Sequence, residues 1–156
     1  ANSPSAVRRT RTVVSSPLMM TGILITAYQL IGNSGMSETS VTTQEEGNFL
    51  LRKISWALTG VSGVTLPSPS VLATSTLTIS KYNYTSNPVT IRLNTASSSI
   101  EISEGGGSFV ALSTVNVKVS ALQFTYIPGV GGAPVGVVAS TTVNGTVFTI
   151  TKYIRK

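Results

Sequence analysis

The chain contains no cysteine, no histidine and no aspartate. Those absences remove most of the usual catalytic parts at once. Without Cys or His there is no zinc site of the ordinary ligand set, no Cys/His or Ser/His nucleophile pair, and no side chain that titrates near neutrality without a shift. No enzymatic activity, cofactor or metal is therefore expected. The lack of Cys also means that the fold is held without disulfides, which leaves the redox compartment open. Charge and aromatic rings are scarce as well, at 10% and 6% of the 156 residues.

What is present is a 41% apolar content, enough for one modest core. Ser, Thr, Gly and Val dominate, the usage of exported β-rich surface proteins. Net charge is +6, and Arg8, Arg9 and Arg11 stand within four positions of one another. They lie in a polar stretch, Ala1 to Pro17, broken by Pro4 and Pro17, neither of which suits a helix interior. Residues 1–17 read as a basic, Pro/Ser-rich arm. Such an arm can neutralise phosphates or lipid head groups, yet it is more often solvated, so nucleic acid is not the expected partner.

After Pro17 the texture changes to an apolar run from Leu18 to Ile31. It is shorter than the roughly 20 residues that cross a bilayer core, so something else must cover it. The signal thins between Gly32 and Thr43 and recovers from Gln44. Leu50, Ile54, Ala57, Leu58 and Val61 then fall at helical spacing, with Glu46, Lys53 and Ser55 off the stripe. Glu45 and Glu46 toward the start, and Arg52 and Lys53 further on, agree with the helix dipole; Gly60 and Gly63 offer a stop. Residues 18–61 are expected as a long N-terminal helix.

Past Val64 the pattern is that of strands and turns, and residues 62–156 are expected as an antiparallel β head. Two-residue alternation marks Thr76 to Tyr82, Val89 to Leu93, Ile100 to Ile102, Val115 to Val119 and Leu122 to Tyr126. Val135 to Val143 and Thr146 to Tyr153 are joined across Asn144-Gly145, the preferred hairpin dipeptide. This spacing predicts about six or seven strands. No βαβ alternation is present, which argues against a parallel nucleotide-binding sheet.

Candidate sites are few. Glu101 and Glu104 are the close carboxylates of the head, yet a calcium loop needs denser oxygen ligands, and a strand position plus the opening of the Gly105 to Gly107 turn accounts for both. That glycine run lacks the helix start and the Lys-Ser/Thr of a phosphate loop. Trp56 reads as a packing anchor against the sheet rather than a stacking platform for a ligand. Asn83-Tyr84-Thr85 and Asn144-Gly145-Thr146 match the glycosylation acceptor pattern, which is common by chance.

The order of these features resembles type IV pilins and minor pseudopilins, most closely the pilin-like proteins with an N-terminal cleavage and methylation motif of small-genome bacteria. The resemblance is carried by Ile25 to Ile31, by Gln44 to Gly60, by Asn116 to Val119 with Leu122 and Phe124, and by the ending Thr151 to Lys156. The family's mature chains open on Phe and Thr-Leu-Ile-Glu, where this one has the polar Ala1 to Pro17. The resemblance implies an α+β fold, a long N-terminal helix packed on a small antiparallel head. It also implies anchorage in the inner membrane before assembly, then incorporation with copies or other pilin subunits into a helical filament at the cell surface. On this reading Ile23, Leu24, Ala27, Leu30 and Ile31 form the assembly interface, while Leu50, Ile54, Trp56, Ala57 and Leu58 dock the helix on the sheet. The rival from another class is a coat protein with a nucleic-acid-binding arm and a β shell domain.

Overall fold

The computed structural model describes residues 39–154. The basic arm, the apolar run with Ile23, Leu24, Ala27, Leu30 and Ile31, and the last two residues lie outside the described residues.

The first element is a helix, α1, over residues 39–57. Its buried positions are Thr43, Gly47, Leu50, Ile54 and Ala57, spaced four, three, four and three apart, so they form one stripe. The C-terminal end is closed by local chemistry. The Thr59 hydroxyl donates to the Ser55 carbonyl at 2.7 Å, and the Lys81 ammonium and the Thr59 amide both donate to the Trp56 carbonyl, at 2.6 and 3.1 Å. Carbonyls that lack a partner inside the helix are thereby satisfied, with a cation at the negative end of the dipole. Gly60, at φ +67°, then turns the chain out of the helix.

Nine strands follow: β1 Val61–Leu66, β2 Ala73–Thr74, β3 Thr76–Lys81, β4 Val89–Asn94, β5 Ser99–Glu104, β6 Val110–Ala111, β7 Val119–Ile127, β8 Gly136–Val143 and β9 Thr146–Tyr153. They form two antiparallel sheets, one in the order β1-β3-β4-β5-β6 and the other β2-β7-β8-β9. Register aligns apolar side chains into lateral rows. Leu77, Ile91 and Ile102 pair across β3, β4 and β5; Phe124, Ala139 and Ile150 pair across β7, β8 and β9, with the small Ala139 making room between two large neighbours. The β8–β9 hairpin turns on Asn144 and Gly145, at φ +47° and +82°, the doubly positive pair that a type I′ turn demands.

One core takes residues from all three parts: Leu50, Ile54, Ala57 and Leu58 from α1 and the residue after it, Leu77, Ile79, Val89, Ile91 and Ile100 from the first sheet, and Val119, Leu122, Phe124, Val137, Val143 and Phe148 from the second. Burying each large aliphatic side chain contributes about 1.5–3 kcal/mol. Helix and strands belong to one compact unit, Thr39–Lys156.

The expected α+β fold, a long N-terminal helix over 18–61 carrying a small sheet, is corrected by this architecture. Strand accounts for 47% of the described residues and helix for 16%, and no long N-terminal helix is among them. The helical spacing of Val61 is a coincidence. After Gly60 the β-branched residues of Val61 to Thr65 take up strand, and Val61 enters the same core from β1 at 2% exposure. Gly63 sits in β1 beside a break in register with β3. The strand signal at Val115 also misled: Val115 is fully exposed, and β7 begins four residues later.

Candidate functional site

The most structured surface feature is the seam where α1 meets the β body. Its upstream half is held by small and polar groups. Phe148, on β9, is buried with its ring tip over Gly47, in the space that a β-carbon there would need. One turn earlier, Thr43 Oγ1 donates to the Thr39 carbonyl at 2.8 Å and accepts from Asn144 Nδ2 at 3.0 Å. Asn144 in turn accepts from the Lys118 amide through Oδ1 at 2.9 Å, while its own amide donates to the Lys118 carbonyl at 2.9 Å. One side chain thus links helix, hairpin turn and the approach to β7. Glu46 adds a third tie between helix and body, accepting from the Thr114 amide at 2.6 Å.

The downstream half is apolar. Leu50, Ile54, Ala57 and Leu58 are each no more than 3% exposed and contact the core of both sheets. Trp56 is placed differently. It is 40% exposed, meets Tyr84 edge-on with ring centroids 6.1 Å apart, and carries the Lys81 ammonium 3.9 Å above its ring centre. Burial lowers the pKa of Lys81, against the opposing attraction of Glu104. Tyr84 donates its hydroxyl to Glu104 at 2.6 Å, and that bond raises the Tyr84 pKa above its ordinary value.

Glu101 and Glu104 are not brought together. The strand period puts them on opposite faces of β5. Glu104 lies in the row of Ile79 and Val89, at the rim of the helix-facing side. Glu101 pairs across the outer face with Arg92 at 3.1 Å and accepts from Asn94 at 2.7 Å. The Asn94 bond first, then the bond and charge of Arg92, hold its carboxyl below the ordinary value against the cost of desolvation. Arg92 also stacks 3.5 Å from the centre of the Phe109 ring. Gly105 and Gly106, both at positive φ, make the turn after β5.

Open grooves flank α1. One of about 440 Å³ runs between Phe49, Lys53 and Trp56 on the helix and Ile102, Glu104 and Leu112 on the body. Another of about 450 Å³ separates Leu58 to Val61 from Thr151 to Ile154. Among the described residues no group of three acidic or metal-ligating side chains converges, and no helix is long and apolar enough to cross a membrane.

Sequence reasoning missed Thr43, Gly47, Asn144 and Phe148 as parts of this seam. Thr43 and Gly47 continue the 50-54-57 spacing upstream, so the signal lay in position rather than in hydropathy. Compared with profiles of known protein families, with curated proteins and with solved structures, the chain matches none.

Proposed function

We propose that this chain is a non-catalytic structural subunit of an extracellular filament of the type IV pilus or pseudopilus kind, joined there by copies of itself or by related subunits. It passes through the inner membrane before assembly and ends at the cell surface. The observation that carries the reading is the mounting of α1. From Thr43 to Leu58 its inner stripe is sunk in the body's core, so a force applied to the chain upstream of residue 39 reaches the whole β body. A subunit that polymerises through the apolar run Leu18 to Ile31 needs such a rigid mount. The run's own chemistry supplies the drive, since burying it against neighbouring copies removes apolar surface from water or lipid.

The test is Leu24→Asp in the producing cell. The expected variant has a folded β body by circular dichroism and forms no filaments under the electron microscope. Normal filaments from this variant would refute the proposal.

A second reading, a coat protein with the Arg8, Arg9 and Arg11 arm on nucleic acid, gains from the two-sheet body, because sheets around one core are common shell units. Purified particles holding nuclease-protected nucleic acid would select it.

A further inference from the structure

Asn144 is followed by Gly145, and no other asparagine in the chain precedes a glycine. An Asn-Gly step is inherently prone to deamidation, because a neighbour without a β-carbon leaves its amide nitrogen free to approach the asparagine side chain. The reaction needs only water. The Gly145 nitrogen attacks Cγ of Asn144, a succinimide ring closes, and the side-chain nitrogen departs as ammonia with the proton released from Gly145. Water then opens the ring at either carbonyl and leaves aspartate or isoaspartate.

Asn144 and Gly145 are both exposed, so water and base reach them. Geometry withholds the reaction. Both ends of the Asn144 amide are engaged, Oδ1 with the Lys118 amide and Nδ2 with Thr43 Oγ1. Cγ cannot swing onto the Gly145 nitrogen without breaking both bonds. The turn also fixes both residues at positive φ. The bond to Thr43 exists only while α1 is seated on the hairpin.

We propose that Asn144 is a self-modifying site gated by the seating of α1: it stays an amide while the helix is docked and converts when the seat opens. The conversion runs one way. Thr43 already spends its hydroxyl proton on the Thr39 carbonyl, so it offers Asn144 only lone pairs. A carboxylate at 144 has no proton to give in return, so Thr43 can meet it only by turning its hydroxyl proton away from the Thr39 carbonyl. Isoaspartate further adds a backbone carbon to a turn whose register is fixed by its length. Any conversion that occurs while the seat is open is therefore permanent and loosens the dock. The same geometry disfavours a glycan on Asn144, since its attachment would take Nδ2 from Thr43.

The experiment is peptide mapping by mass spectrometry of the full chain during incubation at mildly alkaline pH. Conversion at Asn144 is expected to be slow in the native protein and fast in urea. Thr43→Val should speed it about fivefold, the factor that one ordinary hydrogen bond commands, while Thr43→Ser keeps the native rate. Should T43V unfold, the unaltered protein carries the test alone: in mild urea, conversion should rise in step with hydrogen exchange at the α1 amides. Equal rates for native protein and folded T43V, equal acceleration in folded T43V and T43S, or conversion that ignores helix exchange would each overturn the proposal.

Discussion

Phe148 sets its ring tip where a β-carbon on Gly47 would have to stand. The pair defines how closely β9 and α1 approach, and substitution on either side of the contact reads it out. Gly47→Ala gains a few tenths to 1 kcal/mol of helix propensity. Overpacking against the ring costs about 1–3 kcal/mol, so the clash wins. The urea midpoint should fall in G47A and recover in part in G47A/Phe148→Leu. Additive losses in the double variant would show that the two residues are not in conflict.

Ile54 lies at the centre of the helix stripe at 1% exposure. Ile54→Asp places an unpaired charge in that core and should unfold the body, by about 3–5 kcal/mol. Leu50→Ala leaves a cavity and should lower the melting midpoint, at a cost of about 2–5 kcal/mol. Circular dichroism melts distinguish the two, and a cooperative, near-native melt for I54D would contradict the packing described.

Lys81 closes the end of α1 and lies over the chain's single tryptophan, so emission from Trp56 reports this corner alone. Lys81→Met removes both contacts. The loss expected from a half-buried cation over a ring is about 0.5–2 kcal/mol, accompanied by a change in native-state emission. Unchanged emission would mean that the ammonium does not sit over the ring in solution.

Glu101 supplies a pH signature. Its pKa is lowered in the folded chain, so its contribution to stability is present above the ordinary value of 4.5 and is lost as pH falls through the folded value. Glu101→Gln should flatten the acid limb of the stability profile by lowering stability above that ordinary value, and leave the most acidic region little altered. Tyr84 acts at the other extreme. With its pKa raised, its contribution is present below 10.0 and fades as pH rises through the folded value, and Tyr84→Phe should remove that alkaline limb. Denaturation midpoints measured across pH check both.

The hairpin over Asn144-Gly145 was legible because the turn chemistry is local: two adjacent residues must both take positive φ. Strands β3, β4, β8 and β9 showed in their alternation for a similar reason, as each buries one face. The two-residue strands β2 and β6 left no period to detect, and they are defined by their partners β7 and β5 rather than by their own residues. Helix length was overread at its downstream end, where Val61 keeps step with the stripe from Leu50 although Gly60 has already turned the chain out of the helix. The seam's upstream half stayed hidden because Thr43, Gly47 and Asn144 act through hydrogen bonds and close approach, to which hydropathy is blind.

The hydroxyl of Thr43 and the amide that meets it stand 101 positions apart, and the ring over Gly47 comes later still. A nascent chain emerging from the ribosome therefore displays Thr43 and Gly47 of α1 long before the surface that receives them has been translated. Until β8 and β9 arrive, the upstream half of that stripe is bare and open to wrong partners, a hazard shared by topologies that defer their long-range pairings. A premature stop that deletes only the final hairpin would strip away the helix's seat as well, and a holdase that shields α1 during synthesis would have its work ended by the last strand.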